Sequence, residues 1–217
     1  INVSVGEWYA THLFPHISTV LSLLVSWISF SMTEVLVVSA VALMIYVLIR
    51  NIRRREKVWK IFIKEAEIVA WIIVWFYCGW GINYFRETIY MRGEIERQPF
   101  DEVIFKQFMA DYADSLNHSY TPETVDMSVY EDDIKARYSS VPEQYGLSEA
   151  RSWQHPKKLI FNRLYTAVGV GGYIGPFFGE THLNADLFPQ QHPSSYAREL
   201  LVLLGVGNVD EGIFWVY

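Results

Sequence analysis

A single cysteine, Cys78, in 217 residues excludes a disulfide framework within the chain and any cysteine-rich zinc site. Charge is also scarce: 19% of residues are Asp, Glu, Lys or Arg, where ordinary soluble domains carry about a quarter. Positive charge falls short in particular. Eighteen bases against 24 acids give a formal net charge of −6, which excludes the basic footprint of non-specific nucleic-acid binding. Repeats and low-complexity tracts are missing, as are the basic start and small-residue cleavage site of a signal peptide. The sequence has no initiator Met and stops in mid-pattern at Phe214-Trp215-Val216-Tyr217, so it reads as a fragment, truncated at the C-terminus, with an anchor expected upstream. What it does have is apolar bulk. Hydrophobic residues make up 51%, with eight Trp, fourteen Tyr and thirteen Phe, enough to build one or two ordered domains.

The charges are unevenly placed. Residues 1–64 hold seven bases and three acids, whereas 65–217 hold eleven bases and twenty-one acids. Arg50, Arg53, Arg54, Arg55 and Lys57 lie between two uncharged runs, 35–49 and 68–82. A membrane helix needs about 20 mostly apolar residues. With their flanks, the two runs give expected spans of about 33–50 and 66–85. A buried helical hairpin in a soluble protein is the alternative, but it gives an arginine-rich elbow no reason to sit between two greasy helices. Trp71, Trp75, Trp80 and Tyr84 suit an aromatic belt. The positive-inside rule places the basic elbow in the cytoplasm and everything after about residue 86 outside it. A third uncharged stretch, about 15–33, is rich in Ser and Thr and reads as an interfacial or re-entrant helix.

The expected organisation is therefore a membrane region over 1–85 and an extracytoplasmic domain over 86–217. In the latter, 101–117 has an apolar stripe at helical spacing, expected to face a core. A polar link over 118–127 and a short helix around 130–138, ended by Pro142, follow. Pro156 is expected to open a helix over 157–167. The Gly-rich stretch 169–179 lacks the spacing of a phosphate-binding loop and reads as an extended edge segment or bulged turn. A helix is expected over 193–204, then another capped by Asn208 with Glu211 three residues on. His182 and His192 fall on loop-like segments, and His155 before Pro156 reads as turn chemistry.

Two helices joined by a tight Gly turn, each bearing a glutamate, form a frame that zinc chemistry uses. In a zincin, two His at i and i+4 on one helix hold Zn²⁺, the Glu after the first His is the general base, and a third ligand comes from the next helix. The corresponding residues here are Arg198, Glu199 and Val202, with Glu211 beyond. The base and the third ligand are present; both His are absent.

The surroundings carry a resemblance. Trp80-Gly81-Ile82-Asn83-Tyr84-Phe85-Arg86, Gly175-Pro176-Phe177-Phe178-Gly179-Glu180 with Asn184, and Ala197-Arg198-Glu199-Leu200 with Leu204-Gly205 and Asp210-Glu211 resemble three elements of a bacterial multi-pass membrane family known as the domain of unknown function thirty-eight-ten. The resemblance runs from about Trp8 to Tyr217. It implies a mainly α chain in the bacterial cytoplasmic (inner) membrane: a transmembrane helical hairpin, then a zincin-like, mostly helical extracytoplasmic domain with a short extended Gly-rich segment. In that family the zinc-binding element implies a zinc metallopeptidase. By resemblance Glu199 takes the general-base position and Glu211 the third-ligand position, while Gly179, Glu180 and Asn184 line a substrate cleft. Arg198 and Val202 occupy the places of the His ligands. Arginine offers donors only and valine has no lone pair, so no cofactor is expected in this sequence although intact relatives would carry zinc. Three readings stay open: a zincin-like protein whose degenerate site is not catalytic, a binding or assembly module of the envelope, and a corrupted fragment of an active peptidase. Glu199 and Glu211 as ordinary helix residues remain the bland alternative. The expected partners are the lipid bilayer and a peptide or envelope protein, with no nucleic acid.

Overall fold

The computed structural model describes residues 2–96, 98–120, 129–141 and 145–216. Helices dominate it. The first, α1 (Val3–Trp8), is capped by the Asn2 side chain, which accepts from the Ser4 N–H at 3.2 Å. It passes through a wide π-helical turn, Tyr9–Leu13, into α2 (Phe14–Val25), with Pro15 in the first turn where its missing N–H costs nothing. The segment expected over 15–33 is thus shorter: its helix stops at Val25, and Ser18, Ser22 and Val25 are buried against the body of the protein.

Ser31 caps α3 (Met32–Arg53), its hydroxyl accepting from the Glu34 N–H at 3.1 Å. At 1.5 Å per residue these 22 residues reach about 33 Å. Among the described residues α3 is the one helix long and apolar enough to cross a membrane, and only 11% of its most apolar 18-residue window is buried. A core helix would be buried. Here burial is confined to the two ends, at Thr33, Glu34 and Asn51. After a turn containing Arg55 at φ 51°, α4 (Val58–Gly79) runs back along α3. The less exposed residues recur at helical spacing, Leu36, Ala40, Met44, Val47 and Asn51 on α3, and Ile61, Glu65, Ile68, Ile72 and Phe76 on α4, marking a narrow seam. Outside it both helices expose apolar side chains.

The second span expected over 66–85 is shortened. Lys60, Lys64, Glu65 and Glu67 occupy the first half of α4, and the uncharged part that follows reaches only about 18 Å before Gly79. Trp80 leaves the helix at φ −156°, and Gly81–Phe85 form a 3-10 turn that belongs to the folded body. The short α5 (Ile89–Arg92) follows.

The body is organised on a three-stranded sheet in the order β1-β3-β2. Strand β1 (Lys157–Lys158) is parallel to β3 (Glu180–Leu183), with Lys157 opposite His182; β2 (Gly172–Gly175) is antiparallel to β3, with Tyr173 opposite His182. The Gly-rich stretch therefore supplies an edge strand and its turn, as expected. The helix expected over 157–167 is not continuous. Lys158 is tied by its backbone to Ser29 and Ser31, which holds it extended, and α8 (Asn162–Ala167) begins only afterwards. Across the sheet lies α9 (His192–Leu203), followed by α10 (Val209–Val216), where Asn208 Oδ1 accepts from the Asp210 and Glu211 N–H groups. The main core comprises Tyr138, Leu183, Tyr196, Leu200, Leu201, Leu203, Leu204 and Val206. Tyr138 comes from α7 (Tyr130–Ser139).

Helix α6 (Glu102–Ser119) departs from expectation. Its stripe is expected to face a core, yet no residue in the helix is buried, and Ile104 is 70% exposed. Periodicity specifies which face is apolar; it does not supply a surface to cover it. Most of the polar link and Pro142 lie outside the described residues.

Candidate functional site

Helix α9 buries its apolar run against the sheet and so turns Glu199 inward. Glu199 is buried, while the Arg198 side chain is 51% exposed. The Arg198 guanidinium folds back over the acid, donating from Nη2 at 2.7 Å and Nε at 3.1 Å to Oε1. Burial pushes the Glu199 carboxyl above the usual carboxylate range, and Arg198 and His182 offset this only in part. Val202 packs its side chain on a second apolar cluster formed by Tyr9, Phe14 and Trp80, and its carbonyl accepts from Trp80 Nε1 at 2.8 Å.

Glu211, on α10, lies in a different electrostatic setting. Its carboxylate forms a short ion pair with Arg92, both side chains 3% exposed, and accepts from Trp215 Nε1 at 3.3 Å. Glu199 and Glu211 therefore each have an arginine of their own. Among the described residues no three His, Cys, Asp or Glu side chains converge where they could hold a metal ion. Arg198 offers only donors and Val202 no lone pair, so the side chains around Glu199 do not fit zinc, which needs three protein ligands in a catalytic site.

Glu180, Asn184 and Gly179 hold the scaffold together. Glu180 opens β3 and is directed at the start of α3, accepting from the Thr33 N–H and hydroxyl, each at 3.0 Å, and from the Met32 N–H at 3.3 Å. A carboxylate at a helix N-terminus satisfies free N–H groups and meets the positive end of the dipole. Lys157 Nζ lies 2.8 Å from it. Burial alone would raise this carboxyl, but His182 and Lys157 beside it hold it down at about 2. Glu34, one turn into α3, accepts from the backbone N–H groups of Ile160 and Phe161, binding the same helix end to the segment after β1. Asn184, at the far end of β3, donates to the Val170 carbonyl and accepts from Thr166 and the Asp186 N–H. Gly179 sits at φ +62° in the β2–β3 turn, close to Ser18 and Ser22 on α2.

His182 is the residue the sequence misplaces. It is a fully buried strand residue, not a loop histidine: its ring stacks on Tyr173 with centroids 4.4 Å apart, and its Nε2 has no hydrogen-bond partner, lying 3.6 Å from Glu180 Oε2. His155 pairs with Glu131 at 2.8 Å, and His192 begins α9.

The cluster that follows α4, residues 80–86, is a clamp on the end of α9. Besides the Trp80 bond, Arg86 donates to the Gly205 carbonyl at 3.1 Å and the Gly146 carbonyl at 2.8 Å, and grips Glu7 of α1 at 2.8 and 3.2 Å. Arg92, Glu7, Lys157 and Tyr173 escaped the sequence reading because their partners lie far away in the chain; Arg86 was visible only as part of a motif.

A family model described as "Protein of unknown function (DUF3810)" matches residues 9–217. No curated protein and no solved structure matches the chain.

Proposed function

The chain belongs to the DUF3810 family, and from that premise we propose a membrane-anchored, zincin-like protein whose metal site has been replaced by an ion pair and which acts as a binding or assembly module of the bacterial envelope. The observation that carries this reading is the Arg198–Glu199 pair. A general base must present a free carboxylate to water. Here that carboxylate is covered by a guanidinium one residue away, and the second acid is occupied by Arg92. The arginines place positive charge beside both acids without metal, for Glu199 offsetting only part of the cost of burial.

The arrangement around the two acids is what we take as the frame of this site. Helix α9 packs across a sheet whose outer strand, β2, is antiparallel to its neighbour, and α10 follows after a Gly turn. The membrane arrangement we propose is a hairpin of α3 and α4 in the inner membrane, basic elbow in the cytoplasm, with the sheet and α9 on the extracytoplasmic side. Support comes from the exposed apolar surface of both helices and the charge asymmetry along the chain. A peptide or envelope protein is the partner class proposed for the outer domain.

The test is the metal content of the purified full chain, by elemental analysis with and without added zinc. No bound zinc is expected. One zinc per chain would overturn the metal-free reading. The double variant R198H/V202H restores the missing ligand types and should take up one zinc; a folded double variant that takes up none would count against the zincin alignment.

A further inference from the structure

The turn between α3 and α4 concentrates charge as no other part of the molecule does. Between residues 50 and 64 there are seven Lys or Arg and one Glu. Arg50, Arg53, Arg54, Arg55 and Lys57 are all exposed, and among the described residues none has a carboxylate partner. The acid within the turn, Glu56, stands 3.9 Å from Lys60. Elsewhere in the protein the arginines near acids are used: Arg86, Arg92 and Arg198 each grip a glutamate. Immediately beyond the turn, α4 exposes Val58, Trp59, Phe62 and Ile63 on one side, the Trp59 and Phe62 rings stacked 5.9 Å apart, while Lys60 and Lys64 fall on another. The surface thus pairs unneutralised cations with apolar and aromatic anchors, about 33 Å along α3 from the acidic body.

We propose that this elbow is a binding surface for anionic phospholipid headgroups, of the phosphatidylglycerol type, in the leaflet it faces. The proposal rests on the membrane reading given above. The headgroup phosphodiester is a monoanion with two non-bridging oxygens that a guanidinium fork engages with two parallel N–H bonds, so arginine suits it better than lysine. Tryptophan belongs at the headgroup level, with its ring among acyl carbons and its N–H in the polar layer. A basic segment beside a membrane helix gains about 1 kcal/mol per Lys or Arg from an anionic leaflet, which is about fivefold in affinity for each. Like-charge repulsion among five unpaired cations, otherwise relieved only by solvent ions, is what the headgroups remove.

Native mass spectrometry of the full chain in neutral detergent, titrated with dioleoyl phosphatidylglycerol or dioleoyl phosphatidylcholine, tests this. The chain should retain phosphatidylglycerol in clear preference. R53Q/R54Q/R55Q should lose that preference by roughly a hundredfold, while R53K/R54K/R55K keeps most of it and shows that the fold survives. Excess inorganic phosphate should leave the lipid bound, because the aromatic anchors have no purchase on a free ion. Equal retention of the two lipids, an unchanged preference in the glutamine variant, or displacement by phosphate would each overturn the inference. A chain that needs detergent yet shows no preference sinks this inference alone. A chain that stays dispersed without detergent sinks the membrane reading together with it.

Discussion

Replacing Glu180 by Gln should expose how the sheet and the long apolar helix are held together. The carboxylate is buried, receives three donors from the first residues of α3, and faces Lys157 at 2.8 Å. Glutamine keeps the shape and one acceptor oxygen but loses the charge. The folded carboxyl titrates at about 2, against 4.5 for an unperturbed glutamate, a difference worth on the order of 3 kcal/mol. The sign follows from which state binds the proton more tightly. The unfolded chain does, so the stabilisation is complete above pH 4.5 and is lost as the pH falls toward 2. For a chain of this length each kcal/mol moves the midpoint by about 2–4 °C, so E180Q should melt about 6–12 °C lower at pH 7. Thermal unfolding followed by tryptophan fluorescence in detergent, at pH 7, 5, 4 and 2.5, provides the measurement. The gap between the two proteins should narrow in acid. Identical midpoints for E180Q and the parent at every pH would refute the reasoning.

Glu199 should behave in the opposite sense. Its carboxyl is raised by burial, so holding it ionised costs stability above the unfolded value of 4.5, and E199Q should melt higher than the parent at pH 7 and converge with it below about pH 4.5 in the same melting series. Arg92→Ala leaves Glu211 charged and buried without its partner, a loss of about 3–5 kcal/mol, whereas R92M/E211M removes both charges and should recover most of it; a double-mutant cycle on midpoints separates the two. Gly6→Ala would place a Cβ 2.2 Å from the Phe85 carbonyl oxygen and should cost about 1–3 kcal/mol in denaturant melts. Gly212→Ala, with nothing within 4 Å, should instead gain about 0.5–1 kcal/mol; a harmless G6A would refute the close α1–Phe85 contact, and a damaging G212A the open space beside α10.

Local signals carried part of this architecture. The uncharged run in α3, the arginine elbow, the Asn208 cap and the Gly-rich edge strand follow from composition and turn chemistry, and the structure has them. What was not legible depended on partners remote in sequence. Nothing near Lys157 announces that its neighbours will pair with residues 180–183, so Pro156 looked like a helix start. His182 looked like a loop residue because a four-residue strand of Glu-Thr-His-Leu has no apolar alternation to reveal it. Helix α6 illustrates the converse: its periodicity was plain, but whether an apolar face finds a partner is decided by the rest of the molecule. At the candidate site, the absence of histidine at 198 and 202 could be read directly, and Arg198 as a partner for one of the two acids could be inferred. The assignment of Arg92 to Glu211 required the fold.

The anchoring of α3 has a mechanical corollary. Glu180 and Glu34 fasten the first turn of that rod to β3 and to the segment that follows β1. In the membrane arrangement proposed above, tilting is one way the rod accommodates the thickness of the surrounding lipid. There a lean of the rod would swing the sheet and everything resting on it like a mast carrying its deck, so lipid thickness would set the attitude of α9 and its neighbours.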